Sequence, residues 1–188
     1  MRATAPEGPH MTPAFLILRD ILLLRRGPQD LPYSTQLLTT AAAACVFAHA
    51  LSALVLTNVD LETALVSAAF FVLLSLLALF TLLSLRRLRN RFVQAATAFF
   101  GCHFVFTLAS LPLGLVIPIK PTPPEQMPLV SLLLLPVALA CAIWQIAVNA
   151  HILRHSLDVP MWTGVAMVLL WMLIAVVVVS LGGAQALA

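Results

Sequence analysis

Charge is nearly absent from this sequence. Only 9% of its 188 residues are Asp, Glu, Lys or Arg, 62% are hydrophobic, and the mean hydropathy is +1.05. Such a composition excludes a water-soluble domain and predicts an all-α, polytopic membrane protein. Lysine is confined to Lys120, and the other basic residues are nine arginines. The formal charge of +3 and pI near 9.1 do not make a nucleic-acid surface. The arginines border apolar runs, with no aromatic residues interleaved among them. Cysteine is sparse as well. Cys45, Cys102 and Cys141 each lie inside an apolar stretch without CxxC spacing, so they predict neither a metal knuckle nor a disulfide framework. No carboxylate or lysine lies deep in any apolar run, which argues against proton-coupled transport and against a two-carboxylate hydrolase. No internal repeat marks an inverted-repeat transporter.

What the sequence does contain is a series of apolar stretches bounded by charge, proline or turn residues. Spans of about 20 residues are expected at roughly 35–57, 64–85, 92–112, 128–152 and 160–182. Five spans divide the chain into a cytoplasmic segment, residues 1–33, and a five-helix transmembrane domain, residues 34–188. The arginines supply the orientation, because basic loops stay on the cytoplasmic side. Arg2, Arg19, Arg25 and Arg26 precede the first span; Arg86, Arg87, Arg89 and Arg91 separate the second and third; Arg154 separates the fourth and fifth. The link holding Asp60 and Glu62 has no basic residue and is expected outside, as is the proline-rich link from Pro118 to Pro128 with Lys120 and Glu125. This predicts a multi-pass protein of the inner (cytoplasmic) membrane with its N-terminus cytoplasmic and its C-terminus external. Arg19, Arg25, Arg26, Arg86, Arg87, Arg89 and Arg91 are expected to meet lipid head groups.

The apolar run from Phe15 to Leu24 is too short to span and is interrupted by Arg19 and Asp20. It predicts a short interfacial helix with Phe15, Leu18 and Leu22 on one face and Arg19 and Arg26 on another. Gly27-Pro28 ends that helix, and Ser34 or Thr35 caps the first span. Small residues are where helices approach closely in lipid. Ala41 to Ala44 and the run Ala95, Ala96, Thr97, Ala98, Gly101 provide such surfaces, the pair Thr97 and Gly101 serving contacts within the chain or a dimer. Pro112 is expected at the outer end of the third span, and Pro136 is expected to kink or end its helix.

Polar residues at membrane depth point to function, because burying them in lipid is costly. They are His49, His103, Gln145 and Asn149. His49 and His103 lie about fourteen and eleven residues from the inner ends of their spans, so at about 1.5 Å per residue their depths differ by about 5 Å. A b-type haem between them is the sharpest reading; an ordinary interhelical hydrogen bond is the plainer one. Gln145 and Asn149 share one face of their span and bond a neighbouring helix or line a polar cavity. His151 and His155, one turn apart, have no third ligand nearby and read as cytoplasmic interface residues. Trp144, Trp162 and Trp171 need only packing or anchoring roles.

The five spans, the entry turn Gly27-Pro28-Gln29-Asp30-Leu31-Pro32, the stretch Thr97-Ala98-Phe99-Phe100-Gly101 followed by Leu111-Pro112-Leu113, and Trp144 through His151-Ile152-Leu153-Arg154-His155 together resemble the bacterial relatives of the YIP family of membrane proteins. The resemblance implies the five-helix architecture. Eukaryotic members are linked to small GTPases through longer cytosolic regions that have no counterpart here, so no such partner is implied. The expected function is that of a non-enzymatic interaction or membrane-organising component with no cofactor, partnered by the lipid bilayer and by further copies of itself or a membrane protein complex. A haem b redox carrier using His49 and His103, or a small-solute transporter with a polar site near Gln145 and Asn149, are the alternatives.

Overall fold

A computed structural model describes residues 14–117 and 127–185, with side chains as far as Ile174. Arg2, Lys120 and Glu125, and with them the expected proline-rich link, lie outside the described residues. The described residues form six α-helices and no strand: α1 (Ala14–Leu22), α2 (Thr35–Thr57), α3 (Leu61–Leu85), α4 (Phe92–Val116), α5 (Leu129–Leu157) and α6 (Met161–Gln185). Four segments, Thr35–Thr57, Leu61–Leu85, Arg89–Val116 and Leu129–Leu157, are long and apolar enough to cross a membrane. The protein is a multi-pass membrane protein. The residues of the fifth expected span lie in α6, whose part Met161–Ile174 is a shorter apolar helix.

Capping chemistry sets the helix ends. Ser34 Oγ accepts the Leu37 amide at 3.2 Å and starts α2. Asp60 accepts the Thr63 amide at 3.0 Å and its hydroxyl at 2.7 Å, so α3 begins at Leu61, three residues before the expected 64. Asn58 and Asp158 close α2 and α5 in the left-handed region, with φ of 52° and 51°. Pro112 lies inside α4 and does not end it, the helix running on to Val116. Pro136 is likewise carried within α5.

The central helix is α4, which packs on α1, α2, α3 and α5. Its first half is almost entirely buried, from Val93 through Cys102 with the exception of Gln94. That burial explains the small-residue run, because alanine and glycine let several backbones approach one helix. The main core gathers Cys45, Leu79, Leu83, Ala95, Ala96, Phe100, Leu153, Leu157 and Val168. A second cluster joins Ile17 and Ile21 of α1 to Ala98, Cys102, Phe106, Val148 and Ile152. The α1 face that packs is therefore centred on Ile17 and Ile21, with Leu18 and Leu22 packed at its side as expected, while Phe15 is 67% exposed. The small residues of α4 offer a groove at the i, i+4 spacing of the two isoleucines. Gly101 receives Leu18, and a Cβ there would stand 2.9 Å from Leu18 Cδ2. Gly101 of that small pair is thus covered by the chain's own N-terminal helix.

Candidate functional site

Four helices meet in a polar and aromatic cluster near the middle of their lengths. His49 of α2 and His103 of α4 stack with ring centroids 5.0 Å apart and planes 13° from parallel. Phe71 of α3 lies 4.5 Å from His49 and 4.9 Å from His103, and Phe99 stacks on His103 at 5.6 Å. Gln145 of α5 donates from its side-chain amide to His103 Nδ1 over 3.5 Å, which leaves the His103 proton on Nε2. His49 Nε2 is buried with no hydrogen-bond partner among the described residues. The depths read from sequence bring the two histidines together; the facing phenylalanines carry no signal in the sequence, being two among ten.

The cluster does not fit haem. Axial ligands aim their nitrogens at one iron from opposite sides, about 4 Å apart, with a porphyrin plane between. Here the rings lie face to face, with Phe71 against both of them and Phe99 on His103, and no porphyrin-sized slot separates them. Among the described residues no group of three His, Cys, Asp or Glu side chains is placed to hold a metal ion.

The amides of α5 part company. Gln145 lines a cleft of about 370 Å³ between α2, α4 and α5, with Leu56, Phe106, Gly114, Cys141 and Trp144. Asn149 lines a different cleft of about 330 Å³, with Ser75, Leu82, Phe99, Met167 and Trp171. Both clefts are walled mainly by apolar side chains. Neither is a shared polar site for the two amides.

The end of the bundle that carries the basic loops is tightly tied. Arg91 donates to His155 O at 3.2 Å and to Asp158 Oδ2 at 2.8 Å, and Arg86 donates to Leu157 O at 3.3 Å. These two arginines cap the carbonyl end of α5, where cations are favoured by the helix dipole. Their charge holds the Asp158 carboxyl below the usual value, the Arg91 hydrogen bond contributing most. Capping also explains why α5 continues five residues beyond the expected 152. Arg89 bonds Ser84 Oγ at 3.0 Å and lies over the Phe80 ring. Arg19 and Arg26 both pair with Asp20, at 3.0 and 3.4 Å. Arg25 and Arg87 are exposed. Of the arginines expected to meet lipid heads, Arg86 and Arg91 thus turn to the protein.

The N-terminal segment is bound to the same end by contacts that sequence reasoning missed. Gln94 donates to Gln29 O at 3.1 Å and Leu31 O at 2.6 Å. His151, 7% exposed, donates from Nε2 to Arg26 O at 2.9 Å, and nearer the middle of α5 Trp144 Nε1 donates to Leu22 O at 2.9 Å. Each contact joins residues more than sixty positions apart, so no local pattern announces it. Comparison with family models, with curated proteins and with solved structures finds no match to this chain.

Proposed function

We propose that the chain is a five-span inner-membrane protein, N-terminus cytoplasmic and C-terminus external, of YIP-like architecture. It works without catalysis, as an interaction or membrane-organising component that presents an ordered basic face to the cytoplasm. The observation that carries this reading is the clasp at one end of the bundle. Arg86 and Arg91 on the α5 terminus, Gln94 on residues 29 and 31, and His151 on residue 26 fix three separate segments against one another. Arg25, Arg87 and Arg154 stay exposed on those segments. Ordering loops costs conformational entropy, and a chain that needed its arginines only for topology would gain nothing from it. The positive-inside rule puts this end in the cytoplasm. The 25 residues of α6 are long enough for a fifth crossing, which carries the C-terminus outside. The polar residues at depth support the same reading, since His49, His103 and Gln145 hold helices together.

A photo-crosslinking residue placed at Arg25, Arg87 or Arg154 in intact cells tests it. The expected outcome is a discrete protein adduct at these sites and none from Leu133, a lipid-facing control 67% exposed. Lipid adducts alone at all three sites would overturn the interaction reading. A Soret band lost on His49→Ala or His103→Ala would replace it with the haem carrier, and solute flux abolished by Gln145→Leu would replace it with the transporter.

A further inference from the structure

The cleft between α3, α5 and α6 holds two polar groups that the packing does not use. Ser75 is 2% exposed and Asn149 is 8% exposed, and both line this cleft. Ser75 Oγ and Asn149 Oδ1 are each buried without a hydrogen-bond partner among the described residues. Serines on helices inside lipid ordinarily bond their own backbone four residues back, as Ser156 does with Ile152 O at 2.7 Å. Leaving a buried polar atom unpaired in lipid is unfavourable, and the two residues that carry these atoms line one cavity of about 330 Å³, a size within the range of small-ligand pockets.

Chemistry narrows the occupant. No charged side chain lines the cleft, so an ionic head group has no counter-charge there. Ser75 stands close to the midpoint of Leu61–Leu85, at a depth where a phospholipid offers only acyl carbon. The rim residues Leu77, Leu170 and Ile174 are 62%, 57% and 42% exposed, so entry is sideways from the bilayer. Phe99 and Trp171 contribute aromatic walls. Asn149 Oδ1 accepts only, whereas the Ser75 hydroxyl donates or accepts. A neutral hydroxyl carries both complementary functions, a donor for Asn149 and an acceptor for Ser75.

We infer that the Ser75 and Asn149 cleft binds a membrane-dissolved lipophile with a neutral ring hydroxyl, of the phenol or quinol type. This site is independent of the basic face and stands whether or not that face has a partner.

The test uses the full chain in phosphatidylcholine nanodiscs, irradiated with an alkylphenol that carries a diazirine in its tail, with adducts mapped by mass spectrometry. Saturable labelling is expected on α3 and α6 within the cleft. Unlabelled octylphenol should compete about tenfold better than octylbenzene, the difference that hydrogen bonding of one hydroxyl supplies. Ser75→Ala should reduce that preference severalfold. Ser75→Ala combined with Asn149→Leu should abolish it while octylbenzene still competes, which shows the fold and the cleft intact. Ala78→Phe, which fills the cleft, should remove labelling of both kinds. Equal competition by the two compounds in the unaltered chain would assign the cleft to plain acyl chains and overturn the inference. So would labelling that avoids the cleft, or crosslinks between copies through Leu77 and Leu170 that octylphenol does not displace.

Discussion

Gly164 is the position at which α6 rests directly on the α5 backbone, and Gly164→Ala puts that contact to the test. An added Cβ would stand 2.6 Å from Ala150 O, 3.2 Å from its carbonyl carbon and 3.4 Å from its Cα. Ordinary van der Waals contact begins at 3.4 Å, so α6 must back away by roughly 0.8 Å at the crossing, and the obstacle is backbone that no rotamer change relieves. Overpacking of this kind costs about 1–3 kcal/mol. Alanine returns little helix propensity here, because Gly164 lies in the first turn of Met161–Gln185. The control is Gly101→Ala, where the Cβ meets Leu18 Cδ2 at 2.9 Å and Cδ1 at 3.1 Å, the movable end of a side chain on a short helix. Its penalty is below about 1 kcal/mol, offset by the propensity gained mid-helix. At roughly 2–4 °C per kcal/mol for a chain of this size, thermal unfolding in detergent should fall by about 2–12 °C for Gly164→Ala, with Gly101→Ala changing it much less. A Gly164→Ala protein as stable as the parent, or a larger loss at Gly101, would refute the close crossing of α5 and α6.

Further expectations concern the clasp and the ring cluster. Gln94→Ala removes two hydrogen bonds to the N-terminal segment, each contributing about 1 kcal/mol; tryptic cleavage after Arg25 and Arg26 should accelerate at least tenfold, and an unchanged rate would count against the docking. His103→Leu orphans the Gln145 amide and should destabilise by about 1–3 kcal/mol. Adding Gln145→Leu should then restore part of that loss in a double-mutant comparison, and strictly additive losses would argue that the two side chains do not meet. Arg91 holds the Asp158 carboxyl below its ordinary value of 3.8. The pair therefore stabilises the end of α5 fully above that pH, and the contribution is lost as pH falls through the lower folded value. Hydrogen exchange at residues 157–159 should quicken below about pH 4 in the parent, and Arg91→Gln should remove that dependence.

Much of the helix order was legible because lipid-spanning segments advertise themselves by length and composition, as the run from Thr35 to Thr57 does. The ends were less legible. Asp60 reads as loop charge in the sequence, and its cap on α3 needs the local geometry; His151, Arg154 and His155 look like an exit from lipid, which puts the expected end of α5 at 152. That stretch stays helical because the His151 ring and the last carbonyls of the helix find partners in Arg26, Arg86 and Arg91. The same tertiary contacts hid the role of the arginines, since a basic loop looks identical whether it meets phosphate or a helix terminus. For α1, the apolar arc opposite Arg19 and Asp20 is broad and holds Ile17, Ile21, Leu18, Leu22 and Phe15, so periodicity alone does not put Ile17 and Ile21 at its centre and Phe15 at its exposed edge. In the ring cluster, depth arithmetic found His49 and His103, but the rotational setting that stacks them depends on Phe71 and Phe99. Ser75 escaped notice because a serine among leucines reads as a small packing residue, and its lack of a partner is visible only in three dimensions.

The proposed placement of the clasp on the cytoplasmic side can be tested directly by cysteine labelling in intact cells, in a background with Cys45, Cys102 and Cys141 replaced. A membrane-impermeant maleimide should reach Asn58→Cys in intact cells, and should reach Arg87→Cys and Arg25→Cys only after the membrane is opened. Labelling of Arg87→Cys in intact cells, with Asn58→Cys protected, would contradict the cytoplasmic basic face on which the proposed function rests.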